Sequence, residues 1–131
     1  MKKLLRAAIV STCFLLMAGS LSAQTKTRVR FPAGTHGTAV KGTVRGYAYH
    51  DYIVGVTAGQ TIDISVTASQ PSTVLSIVTP EGGDLKEASE TDVYHGVLIT
   101  SGDYRIRVLM MRSAARRKGS VSNYTLKISI K

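Results

Sequence analysis

Residues 61–67 read T-I-D-I-S-V-T, so Ile62, Ile64 and Val66 fall on one side of an extended chain and Thr61, Asp63, Ser65 and Thr67 on the other. A period of two belongs to a β-strand with one buried face, and such a strand needs a sheet and a second layer to cover it. Runs rich in β-branched and aromatic residues recur at 28–31, 38–44, 47–56, 73–78, 93–99, 104–109 and 124–130. Turn signals separate nearly all of them: Pro32 and Gly34, Gly46, Ala58-Gly59-Gln60, and the loop of Pro80, Gly82 and Gly83. No window of about 11 residues carries an amphipathic helix. The segment from Ser113 to Arg117, with Ala114 and Ala115, makes either one helical turn or a polar loop. Parallel strands require long crossover connections, so the pattern predicts antiparallel pairing in an all-β, two-layer β-sandwich of about eight short strands.

The N-terminus is of another kind. Lys2, Lys3 and Arg6 precede an apolar run from Ala7 to Ala18, followed by small residues at Gly19, Ser20, Ser22 and Ala23. This is the pattern of a bacterial secretory signal peptide, and its apolar run is shorter than the roughly 20 residues a membrane span needs. Cleavage after Ala23 is expected, giving residues 1–23 as leader and 24–131 as one exported periplasmic domain. The only cysteine, Cys13, lies inside the leader, and Thr12 before it argues against a lipoprotein signal. The mature domain therefore has no disulfide and must rely on its core, which a domain of this length can build. Of 17 lysines and arginines, Lys2, Lys3 and Arg6 leave with the leader; 14 remain against 8 acids, a net charge of +6. An anionic partner is expected.

Catalytic readings find little support. His36, His50 and His95 stand at no metal-ligand spacing and have no cysteine to join them. Asp51 beside His50 invites an oriented imidazole, and Ser101 is a conceivable nucleophile, but S-G-D-Y is not the G-x-S-x-G elbow. Gly102 has the simpler task of turning the chain into the next strand. Nothing implies an enzyme, a cofactor, a nucleic acid or, once the leader is gone, a membrane.

The charge is concentrated. Residues 101–118 hold Arg105, Arg107, Arg112, Arg116, Arg117 and Lys118 with a single acid, Asp103, whereas 82–92 hold Asp84, Glu87, Glu90 and Asp92 against Lys86 alone. Arginine presents a planar fork matched to carboxylate and is less strongly hydrated than lysine, which suits an interface that must exclude water. Strand alternation puts Arg105 and Arg107 on one face, expected toward solvent, with Tyr104, Ile106 and Val108 on the other. Arg112 and Arg116 lie beyond the strand, four residues apart with small side chains between, and one helical turn would project both from the same side. Tyr52, Tyr104 and Tyr124 read as packing residues, whereas Tyr47 follows the Gly46 break and can project from the sheet edge.

Taken together, R-V-R-F-P-A-G at 28–34, K-G-T-V-R-G-Y-A-Y-H-D-Y at 41–52, A-G-Q at 58–60, S-G-D-Y-R-I-R-V-L-M-M-R-S-A-A-R at 101–116 and Y-T-L-K-I at 124–128 resemble the periplasmic inhibitors of goose-type lysozyme, whose fold is related to the pre-peptidase C-terminal domain. The S-G-x-Y and R-V-x-x-x-R-x-x-A-R pieces are the most specific part. The resemblance implies a g-type lysozyme as protein partner, with the inhibitor plugging its acidic substrate cleft. The positions carried over are Tyr47, the turn of Ser101, Gly102, Asp103 and Tyr104, and the cations Arg112 and Arg116. The competing expectation is a non-catalytic envelope module that binds anionic glycan or peptidoglycan through the same basic face. A blander one is a structural sandwich whose charge serves solubility.

Overall fold

The structure, a computed structural model, describes residues 24–131; the expected leader lies outside the described residues. Eight strands form two four-stranded sheets, in the orders β1-β3-β7-β5 and β2-β8-β4-β6. They are β1 (Gln24–Arg28), β2 (Gly37–Arg45), β3 (Tyr49–Val56), β4 (Thr61–Ala68), β5 (Thr73–Val78), β6 (Val93–Val97), β7 (Gly102–Met110) and β8 (Val121–Ile130), with α1 (Arg112–Ala115) between the last two. The sandwich expected from the alternation is present. Odd-numbered strands make one sheet and even-numbered strands the other, so every connection crosses from layer to layer and no two consecutive strands pair.

That winding explains the one departure from antiparallel pairing. β1 pairs with β3 in parallel, Gln24 opposite Tyr49 through Arg28 opposite Ile53. A parallel pair needs a crossover, and β2, lying in the other sheet, is that crossover. The first strand also lies upstream of its expected place at 28–31: Val29 is buried and Phe31 packs on the core from a connecting segment.

The inward faces obey the period of two. Ile62, Ile64 and Val66 are 0%, 2% and 6% exposed and pack with Leu126 and Ile128 of β8 against Val54, Leu75, Ile77, Ile106 and Val108 of the opposite sheet. Replacing Ile64 with alanine is expected to cost about 2 to 5 kcal/mol through lost burial and a cavity; an unchanged denaturation midpoint would contradict the packing described here. Two buried hydroxyl pairs tie the layers together, Tyr52 to Tyr124 at 2.6 Å and Thr73 to Ser122 at 2.6 Å. Along the free edge of β5 the 84–91 segment supplies what a further strand would. Leu85 N–H donates to Ile77 C=O, and Leu75 and Thr91 exchange backbone hydrogen bonds. A single 3-10 turn, Lys86–Ala88, inserts Ala88 into the core.

Candidate functional site

α1 turns two small side chains inward. Ala114 and Ala115 are buried in the core cluster, and the turn closes with N–H donation from Ala115 to Met111 C=O and from Arg116 to Arg112 C=O. Of the two readings of this segment, helical turn or polar loop, the helical one is realised. Met111 N–H bonds Ser72 C=O, anchoring the start of the turn to the segment before β5. Anchoring the inward face leaves Arg112 and Arg116 exposed on the other.

Ser120 joins this turn to the β2–β3 connection. Its hydroxyl donates to Ala115 C=O at 3.2 Å, and its own carbonyl accepts from Gly46 N–H at 3.0 Å. Gly46 adopts φ 54°, and a Cβ there would stand 3.8 Å from the Ala115 carbonyl oxygen. The left-handed conformation is what glycine adopts without strain, and it turns the next residue outward. Tyr47 is accordingly 67% exposed, in a segment that touches the α1 turn. Arg45, Arg112, Arg116, Arg117 and Lys118 are exposed at this same end of the sandwich, and among the described residues none forms an ion pair. No acid occurs after Asp103 in the sequence, so the cluster is uncompensated from its own segment.

The other four expected site residues lie elsewhere. β7 begins at Gly102 and ends at Met110, eight steps of roughly 3.4 Å, so the 101–104 turn stands about 27 Å from the α1 end. Its residues make structural contacts. Ser101 Oγ accepts from Ala58 N–H at 2.8 Å, joining this turn to the β3–β4 connection. Gly102 has φ 141°, and a Cβ would meet Pro80 side-chain carbons at 2.8 and 2.9 Å, so only glycine fits. Asp103 accepts from Arg28 at 2.8 Å. Tyr104 is 2% exposed in the core and donates its hydroxyl to Thr100 C=O. The seven positions thus form two groups, Tyr47, Arg112 and Arg116 at one end and Ser101 to Tyr104 at the other.

Two expectations for the outer face of the first sheet need correction. Arg107 is not a freely solvated strand residue: its Nε and Nη2 donate to the two carboxylate oxygens of Asp51 at 2.8 and 3.0 Å, and its guanidinium lies 4.0 Å from the centre of the Tyr49 ring. Asp51 is fully buried beneath it, and the hydrogen-bonded carboxylate raises the guanidinium further above its ordinary pKa. Asp51 also does not orient His50, which points to the opposite face. The direct register of Asp51 with Arg107 across β3 and β7 makes the pair, and neither residue signals it from its own strand.

His50 instead heads a polar chain. Its Nε2 is 2.9 Å from Thr27 Oγ1 on β1, its ring stacks on Tyr52, and its Nδ1 is 3.3 Å from the Tyr52 hydroxyl, which pairs with Tyr124. Burial lowers the His50 pKa below the ordinary 6.5, against an opposing pull from Asp51, and pushes the Tyr52 and Tyr124 phenols up. Because the unfolded chain takes up this proton first, the contribution of His50 is fully present above about 6.5 and is lost as pH falls from there through the lowered folded value. His50→Gln is expected to flatten the part of the stability profile that falls below about pH 6.5. Parallel profiles for the two proteins would remove His50 as the cause. His95 pairs with the exposed Asp63, His36 is exposed, and no group of three metal-ligating side chains occurs among the described residues.

A scan against protein-family models finds no match, and a sequence search of curated proteins finds none either. Solved structures do match. A periplasmic inhibitor of g-type lysozyme from Aeromonas hydrophila, PliG, superposes with a TM-score of 0.71 at 28% identity, over 82% of this chain and 97% of that one. A mutant of the Escherichia coli PliG gives a TM-score of 0.64 at 26% identity over 82% and 99%, and the Salmonella Typhimurium PliG 0.63 at 27% over 82% and 98%. All three are inhibitor proteins, not enzymes. The likeness read from the sequence motifs therefore extends to the fold, over nearly the whole length of each inhibitor.

Proposed function

We propose that this chain is a periplasmic inhibitor of a g-type lysozyme, and that Tyr47, Arg112 and Arg116 form the part of its surface that enters the enzyme's acidic substrate cleft. The observation that carries the activity is the likeness to three such inhibitors over 97% or more of their chains. The choice of surface is supported by the grouping at the α1 end: an exposed tyrosine beside cations with no ion-pair partner among the described residues, held on a turn whose inward alanines are locked in the core. Arginine and tyrosine are the types enriched at interface centres, and the anchored turn fixes the backbone from which Arg112 and Arg116 project. The 101–104 turn contributes by holding the far end of β7 in place, with Ser101 and Asp103 at its surface.

The test is turnover of peptidoglycan by a goose-type and a chicken-type lysozyme with increasing amounts of the purified protein. Inhibition of the first with the second largely active is expected. If the goose-type enzyme is untouched at large molar excess, the reading is wrong, and retention on peptidoglycan that disappears as salt is raised would then favour the glycan-binding alternative.

A further inference from the structure

β6 is an edge strand, and its sequence V-Y-H-G-V, continuing into Leu98 and Ile99, lacks the protections that edges usually carry. Edge strands are ordinarily blunted by lysine, proline or bulges. The other edge of the same sheet, β2, carries Lys41 and Arg45, and the free edge of β5 is covered by the 84–91 segment. β6 carries no lysine, arginine, acid or proline. On its outward face Val93 is 60% exposed, Val97 56% and Ile99 85%.

The hydrogen-bonding parity shows which backbone groups are open. Leu98 N–H donates to Gln60 C=O, Gly59 N–H to Leu98 C=O, and Val66 N–H to Asp92 C=O, so the even residues of this strand make the ladder to β4. The N–H and C=O groups of His95 and Val97 therefore point away from the sheet. Those of Val93 meet only the side chain of Thr91. Backbone groups so arranged are a template for one further antiparallel strand.

We propose that this edge binds a second copy of the same edge, joining two molecules through antiparallel β6 strands into one continuous eight-stranded sheet. The strand complements itself. A two-fold axis at Gly96 sets Val93 of each copy opposite Ile99 of the other and Val97 opposite His95, so the exposed apolar side chains cover one another. Gly96 falls on the axis, in a non-hydrogen-bonded pair with backbones about 4.5 Å apart; its own molecule already requires glycine there, since a Cβ would meet the Tyr94 ring. In a protein as basic as this, most surfaces repel their own copies, but the stretch from Val93 to Gly102 carries no titratable side chain other than Tyr94 and His95, and His95 is paired with Asp63. A neutral apolar edge suits a like edge better than the anionic partner expected of the basic end. The dimer leaves the α1 end of each copy open, and it does not depend on the inhibitor reading.

Sedimentation of the purified protein from about 1 μM to about 1 mM is the test. A monomer–dimer equilibrium is expected, with Val97→Lys and Ile99→Lys each shifting it to monomer, while the melting midpoint at dilutions where the parent protein is monomeric stays unchanged, since both side chains are solvent-exposed in the monomer. Ala39→Lys on β2 should leave the dimer intact. A monomer throughout the range overturns the proposal, as does a dimer indifferent to both lysines or one broken equally by Ala39→Lys.

Discussion

Alanine at Arg112 or at Arg116 is expected to weaken binding to a g-type lysozyme by about 2 to 5 kcal/mol, the loss that follows removal of a charge desolvated at an interface. In affinity this is roughly 30-fold to several-thousand-fold. Folding stability should move by less than about 0.5 kcal/mol, because both side chains are exposed and the turn is held by Ala114, Ala115 and Ser120. Titration calorimetry against the enzyme, beside thermal unfolding of each variant, separates the two effects. Arg105 is the control. It has the same charge but lies on the outer face of β7, five strand steps of roughly 3.4 Å before Met110. Were Arg105→Ala to weaken binding as much as Arg112→Ala, the contact would be diffuse attraction by a basic protein and not a localised clamp.

Arg107→Ala is expected to be the most damaging arginine substitution for folding, at about 3 to 5 kcal/mol, because it leaves the Asp51 carboxylate buried without its partner. The pair is asymmetric in a way that can be measured. The Asp51 side chain is 1% exposed and that of Arg107 30%, so after Asp51→Ala the guanidinium can turn to water, whereas after Arg107→Ala the carboxylate has no such route. Chemical denaturation should therefore rank Arg107→Ala well above Asp51→Ala. Replacing both with apolar residues of similar volume should recover much of the loss, since a buried ion pair contributes little over good packing. Equal costs for the two single variants, or a cost below about 1 kcal/mol for Arg107→Ala, would show that the carboxylate finds another partner.

Local pattern accounts for much of what was legible. The alternation at 61–67 identified the buried face of β4, and Gly46 was read as a break after which Tyr47 projects, as it does, although the strand expected from Tyr47 begins only at Tyr49. Tyr52, Tyr104 and Tyr124 were placed in the packing because a ring buries well when its hydroxyl has a partner, and each hydroxyl has at least one. Arg107 was misread for a reason inherent in periodicity. A period of two separates the faces of a strand but does not tell whether the outer face is wet, and here the answer lay with Asp51 on a strand 56 residues away in sequence.

What the sequence determined by itself is the content of the layers: about eight short strands, the apolar side of β4 and of β7, a charge gathered into residues 101–118, and a motif set whose likeness to lysozyme inhibitors recurs in the fold. Only the tertiary structure decided the winding. Strand-to-strand alternation between sheets makes β2 a crossover and β1–β3 parallel, because chain order does not specify which strands become neighbours when every turn crosses the core. The same winding divided the candidate site. S-G-D-Y and R-x-x-x-R are close in sequence, yet an extended strand of nine residues holds them at opposite ends, while Tyr47, some 65 residues from Arg112, joins it through Ser120. Extended chain separates what sequence puts side by side, and the closed sandwich rejoins what it keeps apart.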